Sequence, residues 1–337
     1  MQMKITYYLG AGASYNSMPL VNTFLSRFKK FTTITTNITA LNQSTMVADI
    51  KQFELEVAGH YSFDTFFKKL FHTGRTNEIL MYKQILALYF LCEQFYDIYD
   101  RKLVEYRSKF DNTPTKQSID VRYDALIASL LLPIEGLKFM ADVSIVTWNY
   151  DLCLVNSIAN FYGDPAFGMY FEGMKKSNSC SFDQLSVMNM NGSIYTNRIK
   201  NTGQLDYEKI KEFITLMSQS YDQNFGELYE ASELISFAWE QKNSNLVDQV
   251  IERIKESDYI VVIGYTFPIY NRLIDSRIFT TDSLKHKKVV IQDPLASKIL
   301  ENFKFNFKLS EDEIEVYRIE LMPVEDCSMF HIPSSLY

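Results

Sequence analysis

The chain has 337 residues, is 47% hydrophobic and carries a formal net charge of −7. That supplies a substantial core and excludes disorder, and the absence of a basic block argues against a dedicated nucleic-acid binder. Cys92, Cys153, Cys180 and Cys327 stand far apart without a C-x-x-C pair, so neither a zinc ribbon, another metal centre nor a disulfide framework is indicated. No apolar stretch approaches the ~20 residues of a membrane span, and Met1-Gln2-Met3-Lys4 leads directly into the first strand. A soluble, cytoplasmic protein is expected.

In chain order, Met3–Leu9 saturates with β-formers as an internal parallel strand does. It breaks into Gly10-Ala11-Gly12-Ala13-Ser14. Gly10 and Gly12 are expected to permit positive φ and to let backbone N–H groups approach an anion, with Ser14 capping a following helix. The same residues also suit a tight turn that binds nothing. Phe63, Phe66, Phe67, Leu70 and Phe71 read as a core stripe. Asn77–Phe110 reads as a long helix whose apolar face carries Ile79, Tyr82, Ile85, Leu86, Tyr89, Phe90, Phe95 and Tyr99. Asp111-Asn112-Thr113-Pro114 interrupts it, and Asp120–Met140 forms a second helix.

Val143–Trp148 is the next strand and ends in Asn149-Tyr150-Asp151. Residues 205–257 are helical in pattern, from Tyr207-Glu208 through Val247–Ile254. Tyr259–Ile263 ends in Gly264-Tyr265-Thr266-Phe267-Pro268, and Lys288–Ile291 ends in Gln292-Asp293-Pro294. Small or polar residues thus load the carboxyl end of each strand, the edge where open α/β sheets bind ligands. About 130 residues separate the first two strands, too many for one crossover helix. The expectation is one α/β domain: a doubly wound, mostly parallel Rossmann-like sheet with helical insertions at about 40–140 and 205–257.

Taken together, G-A-G-A-S at 10–14, T-W-N-Y-D at 147–151, N-G-S at 191–193, G-Y-T-F-P at 264–268 and Q-D-P at 292–294 resemble the sirtuin-like superfamily. The likeness is strongest to the bacterial branch that cleaves NAD, and it spans residues 5 to about 300. It implies that Gly10, Ala11, Gly12, Ala13 and Ser14 cradle a pyrophosphate. Asn149 would orient the ribose or the attacking water, and Asp151 would anchor the loop or accept from a ribose hydroxyl. Thr147, Gly192, Gly264, Tyr265 and Thr266 would line the crevice, and Asp293 would take the adenosine ribose. Each position has a plainer reading: Asn149 as N-cap of a Tyr150–Phe161 helix, Thr266 as a cap, Asp293 as a turn residue before Pro294.

Two departures from the family pattern matter. The zinc ribbon of protein-deacylating members is missing. The family also places a histidine before a glycine after the third strand, as general base; here Asn191 precedes Gly192, and an amide takes no proton at neutral pH. His60, His72, His286 and His331 fall outside every strand-end motif. Three explanations stay open: an inactive form that still binds NAD, hydrolysis by positioning and electrostatics, or a carboxylate such as Asp151 as base.

The resemblance therefore implies an NAD glycohydrolase-type effector of bacterial antiviral defence, weakened or inactive at Asn191. NAD is its substrate or ligand. Its helical insertions would serve self-assembly or a hetero-complex with a defence-system partner. A non-catalytic NAD or ADP-ribose binding module that regulates a partner is the alternative. An unrelated nucleotide-binding enzyme sharing only the sheet is the third reading.

Overall fold

Seven strands form one sheet in the order β3-β4-β2-β1-β5-β6-β7. Their ranges are β1 Lys4–Leu9, β2 Asp142–Thr147, β3 Ser179–Phe182, β4 Leu185–Asn189, β5 Tyr259–Ile263, β6 Lys288–Gln292 and β7 Glu320–Val324. The computed structural model describes residues 2–42, 44–95, 120–134, 137–163, 165–195, 207–221, 225–240 and 244–336. All strand pairs are parallel except β3 with β4. From β1 the chain winds outward to β2 and β4 on one side and to β5, β6 and β7 on the other. The winding direction thus reverses between β1 and β5, the switch point at which doubly wound sheets open a ligand crevice.

Strand alternation distributes the core over both faces. Ile5, Tyr7 and Leu9 of β1 pack with the Val21–Thr36, Thr45–Val57, Phe63–His72 and Thr76–Phe95 helices. Tyr8, Val146 and Val262 face the opposite layer, built from the Ser244–Glu256 and Ala296–Asn306 helices. The doubly wound α/β sheet and its helical insertions are as the sequence predicts. Among the described residues no helix is long and apolar enough to cross a membrane.

Several boundaries differ. Of the helix expected over Asn77–Phe110 the described part is Thr76–Phe95, the rest lying outside the described residues, and every residue from Tyr82 to Gln94 is buried, so that stretch is enclosed rather than one-faced. Tyr99 and the Asp111–Pro114 break lie outside the described residues. The second helix is Val121–Leu130, not Asp120–Met140. Pro133 disfavours helical backbone at Leu132, and Leu131 instead bridges to Phe139. The 205–257 stretch divides into helices Tyr207–Ser218, Glu227–Glu233 and Ser244–Glu256. In the Phe63–Phe71 stripe only Phe71 is exposed, and it packs on Trp239.

Candidate functional site at the carboxyl edge

The loop after β1 and the loop after β5 meet backbone to backbone. Gly10 and Gly12 donate N–H bonds to the Ile263 and Gly264 carbonyls, both 3.0 Å. A Cβ on Gly10 would lie 2.6 Å from the Gly264 oxygen, and one on Gly12 would lie 2.8 Å from the Gly264 Cα. Neither glycine adopts the positive φ that its lack of a Cβ permits. Gly10 is extended at φ −115°, and the left-handed residue is Gly264, φ 59°. The glycines are required by the close approach of two loops. This also commits their N–H groups; Ala11, exposed, keeps an N–H without a partner among the described residues. Ala13 donates back to the Gly10 carbonyl at 2.9 Å.

Ser14 does not cap a helix. Its buried Oγ lies 2.9 Å from the Tyr123 hydroxyl and accepts from Asn149 Nδ2 at 3.1 Å. Asn149 is not a helix cap either, because the next helix is Cys153–Tyr162 and Asp151 Oδ1 accepts the Cys153 N–H at 2.9 Å. Thr147 Oγ1 accepts the Asn149 N–H at 3.0 Å, which bends the chain so that the Asn149 side chain meets Ser14. Burial pushes the Asp151 carboxyl above its usual range, against the Cys153 and Ser14 groups that favour its charge. The structure thus unites Ser14, Asn149 and Asp151 at the ends of β1 and β2.

Asn191 sits one strand further along. Its Nδ2 donates to the Trp148 carbonyl at 2.9 Å, and its Oδ1 is buried without a partner among the described residues. The side chain is only 7% exposed, so this unmet acceptor is costly unless a donor reaches it. Gly192 takes φ 72° in a turn bridged to Ile235, a structural task for this glycine.

Other predicted residues point elsewhere. Tyr265 is buried under the sheet, where its hydroxyl donates to Asp275; its side chain does not line the edge. Thr266 is exposed and caps no helix. Asp293 Oδ1 accepts the Leu295 N–H at 2.9 Å, the turn role, and burial raises its carboxyl pKa.

Sequence reasoning missed the support for the β1 loop. Arg122, 3% exposed, donates to the Ala13 carbonyl at 2.7 Å and pairs with buried Asp120. Its guanidinium lies over the Tyr15 and Phe330 rings at 4.6 and 4.8 Å. The D-V-R-Y string at 120–123, an N-cap acid followed by Arg and Tyr, was the available signal. Asp64 was missed as well. It lies beside the Tyr150 hydroxyl, and burial pushes its carboxyl up to about 7.

A separate groove of about 630 Å³ lies on the sheet flank between β3, β4 and the Ser244–Glu256 helix, lined by Ser179, Ser186, Asp248 and Glu252 among others. It contains none of the strand-end residues. Among the described residues no group of three or more His, Cys, Asp or Glu side chains is placed to hold a metal. No family model matches the chain, and no curated protein matches it.

Proposed function

We propose that the carboxyl edge is an NAD site of sirtuin-like type and that the protein is an NAD glycohydrolase, giving nicotinamide and ADP-ribose, in bacterial antiviral defence. The observation that carries this reading is the Ser14–Asn149 contact at 3.1 Å beside the switch point, with Asn191 Oδ1 left as a buried, unmet acceptor two strands from β1. These residues fit a ribose, whose hydroxyls supply the donors that Asn191 lacks. The unpartnered Ala11 N–H suits a phosphate oxygen at the loop. The fit is not complete, because Gly10 and Gly12 have no N–H to spare.

In this reading the C1′–N bond of NAD breaks, its electron pair goes to the nicotinamide nitrogen, and water adds to C1′. Expelling neutral nicotinamide needs little basic help, so Asn149 contributes by orienting water and ribose. Asp151, with its raised carboxyl pKa, is the nearby group able to take the water proton. The second reading is a non-catalytic NAD or ADP-ribose sensor. Asn191 favours it, being an amide held by the Trp148 carbonyl with no proton to exchange.

Incubating the purified protein with NAD, and following nicotinamide and ADP-ribose by chromatography beside calorimetric binding, separates the two. Release of both products supports the hydrolase. Saturable heat without release supports the sensor, and neither signal removes both.

A further inference from the structure

Beneath the two central loops lies a chain of five buried side chains. Trp148 Nε1 donates to the Tyr8 hydroxyl at 2.9 Å, and Tyr8 donates to Asp275 Oδ1 at 2.8 Å. From the other side, Asn271 Nδ2 donates to the Tyr265 hydroxyl at 2.9 Å, and Tyr265 donates to Asp275 Oδ2 at 2.8 Å. Trp148 and Tyr265 stack with ring centroids 5.9 Å apart and planes within 6°. Trp148 immediately precedes Asn149, and Tyr265 immediately follows Gly264, so one carboxylate ties together the loops after β2 and β5.

We propose that Asp275 is a positioning residue, a buried carboxylate that locks the Thr147–Asp151 and Gly264–Pro268 loops in register when ionised and releases the second loop when protonated. Its effect on ligand rests on the nucleotide reading above; the latch itself does not.

The asymmetry of release follows from donor counting. Ionised Asp275 accepts one phenolic proton on each oxygen, and each phenol accepts one N–H. Protonated, the carboxyl must donate to one phenol, which must then turn its own proton elsewhere. Tyr8 can turn its proton only toward the neighbouring Tyr265 hydroxyl, because the indole N–H opposite it only donates, so either way the adjustment falls on Tyr265. Tyr265 accommodates it once the Asn271 amide turns its oxygen inward. Protonation therefore loosens Tyr265 and Asn271 and leaves the Trp148–Tyr8 half intact.

Asp275 is 0% exposed, and burial pushes its carboxyl up to about 7 against the two phenolic donors and the Arg272 charge. The Ser244–Glu256 helix packed against it presents Asp248, which is ion-paired with Arg277 at the exposed surface. Among the described residues the partners of the carboxylate are Tyr8 and Tyr265, and the one cation beside it, Arg272, is exposed.

The chain has two tryptophans, and Trp239 Nε1 makes no hydrogen bond among the described residues, so Trp239→Phe isolates Trp148 as a reporter of the latch. In that variant, Trp148 fluorescence should titrate with a midpoint of about 7, and adding Asp275→Asn should flatten the curve. Tyr265→Phe, which keeps the carboxylate but removes one donor to it, should move the midpoint upward. NAD affinity should be about fivefold tighter at pH 8 than at pH 6, roughly the effect of one hydrogen bond, and Asp275→Asn should show the weaker value at both. A titration that persists in Asp275→Asn, or a Tyr265→Phe midpoint that does not move, overturns the latch. NAD that binds at neither pH counts against the nucleotide reading, while the fluorescence still decides the latch.

Discussion

Asn191 occupies a buried slot in which one amide group serves the Trp148 carbonyl and the other has no protein partner. A histidine there could donate one ring N–H to Trp148 and keep the second nitrogen as an acceptor, so Asn191→His installs a base without losing the existing bond. We expect NAD cleavage by this variant to rise at least about tenfold, measured as nicotinamide release; an unchanged rate would mean that Asn191 does not face the reacting ribose. Asn149→Ala should abolish turnover while removing one buried hydrogen bond, a stability loss of about 1 kcal/mol by urea denaturation. Wild-type rates in that variant would take Asn149 out of the mechanism. Asn149 was legible in the sequence because it follows a buried strand in a polar turn, whereas Asn191 was reached only through the family resemblance. Asn149's contact with Ser14 was not legible, since it depends on Thr147 turning the backbone.

At the level of elements, the β1 and β5 loops form one unit, with Gly264 in the left-handed region and its Cα side filled by the Gly12 and Ala13 backbone. Gly264→Ala should cost roughly 2 kcal/mol or more, combining backbone strain with the clash. Denaturation midpoints matching wild type would show that the two loops separate easily. Arg122→Ala leaves Asp120 buried without its partner and should cost about 3–5 kcal/mol. Asp120→Asn combined with Arg122→Met should recover much of that loss, and a failure to recover would deny the pair its role.

β4 entered only through the family resemblance, whereas β1, β2, β5 and β6 were readable from their apolar runs and the turns that follow. β3 and β7 were not: Ser179–Phe182 and Glu320–Val324 are edge strands, only partly covered, with polar and charged residues at positions an internal strand would fill with apolar ones. The Arg122 support of the β1 loop was hidden for a different reason. Its partners Ala13, Cys327 and Phe330 are distant in sequence and come together only in the fold.

For the whole molecule, buried acids set the pH response. Asp64 and Asp275 have carboxyl pKa values pushed up to about 7, above the unfolded value near 4. Between those limits the folded state binds more protons than the unfolded one, so these groups make stability fall as pH rises from 5 to 8. His331 works in the opposite direction, since burial lowers its pKa and its neutral form favours folding above about 6.5. Urea denaturation should therefore show Asp275→Asn gaining stability relative to wild type as pH rises through 7, by an amount on the order of 1–3 kcal/mol. A difference that does not change with pH would place the Asp275 titration outside this window.

The proposed NAD site is the carboxyl edge between β1, β2 and β5. Equilibrium calorimetry of NAD binding to wild-type protein and to Asn149→Ala, with melting temperatures recorded for both, tests it most directly. Saturable wild-type binding is expected, weakened at least about tenfold in Asn149→Ala, with both proteins folded. No wild-type binding, or equal affinity in the two proteins, would contradict it.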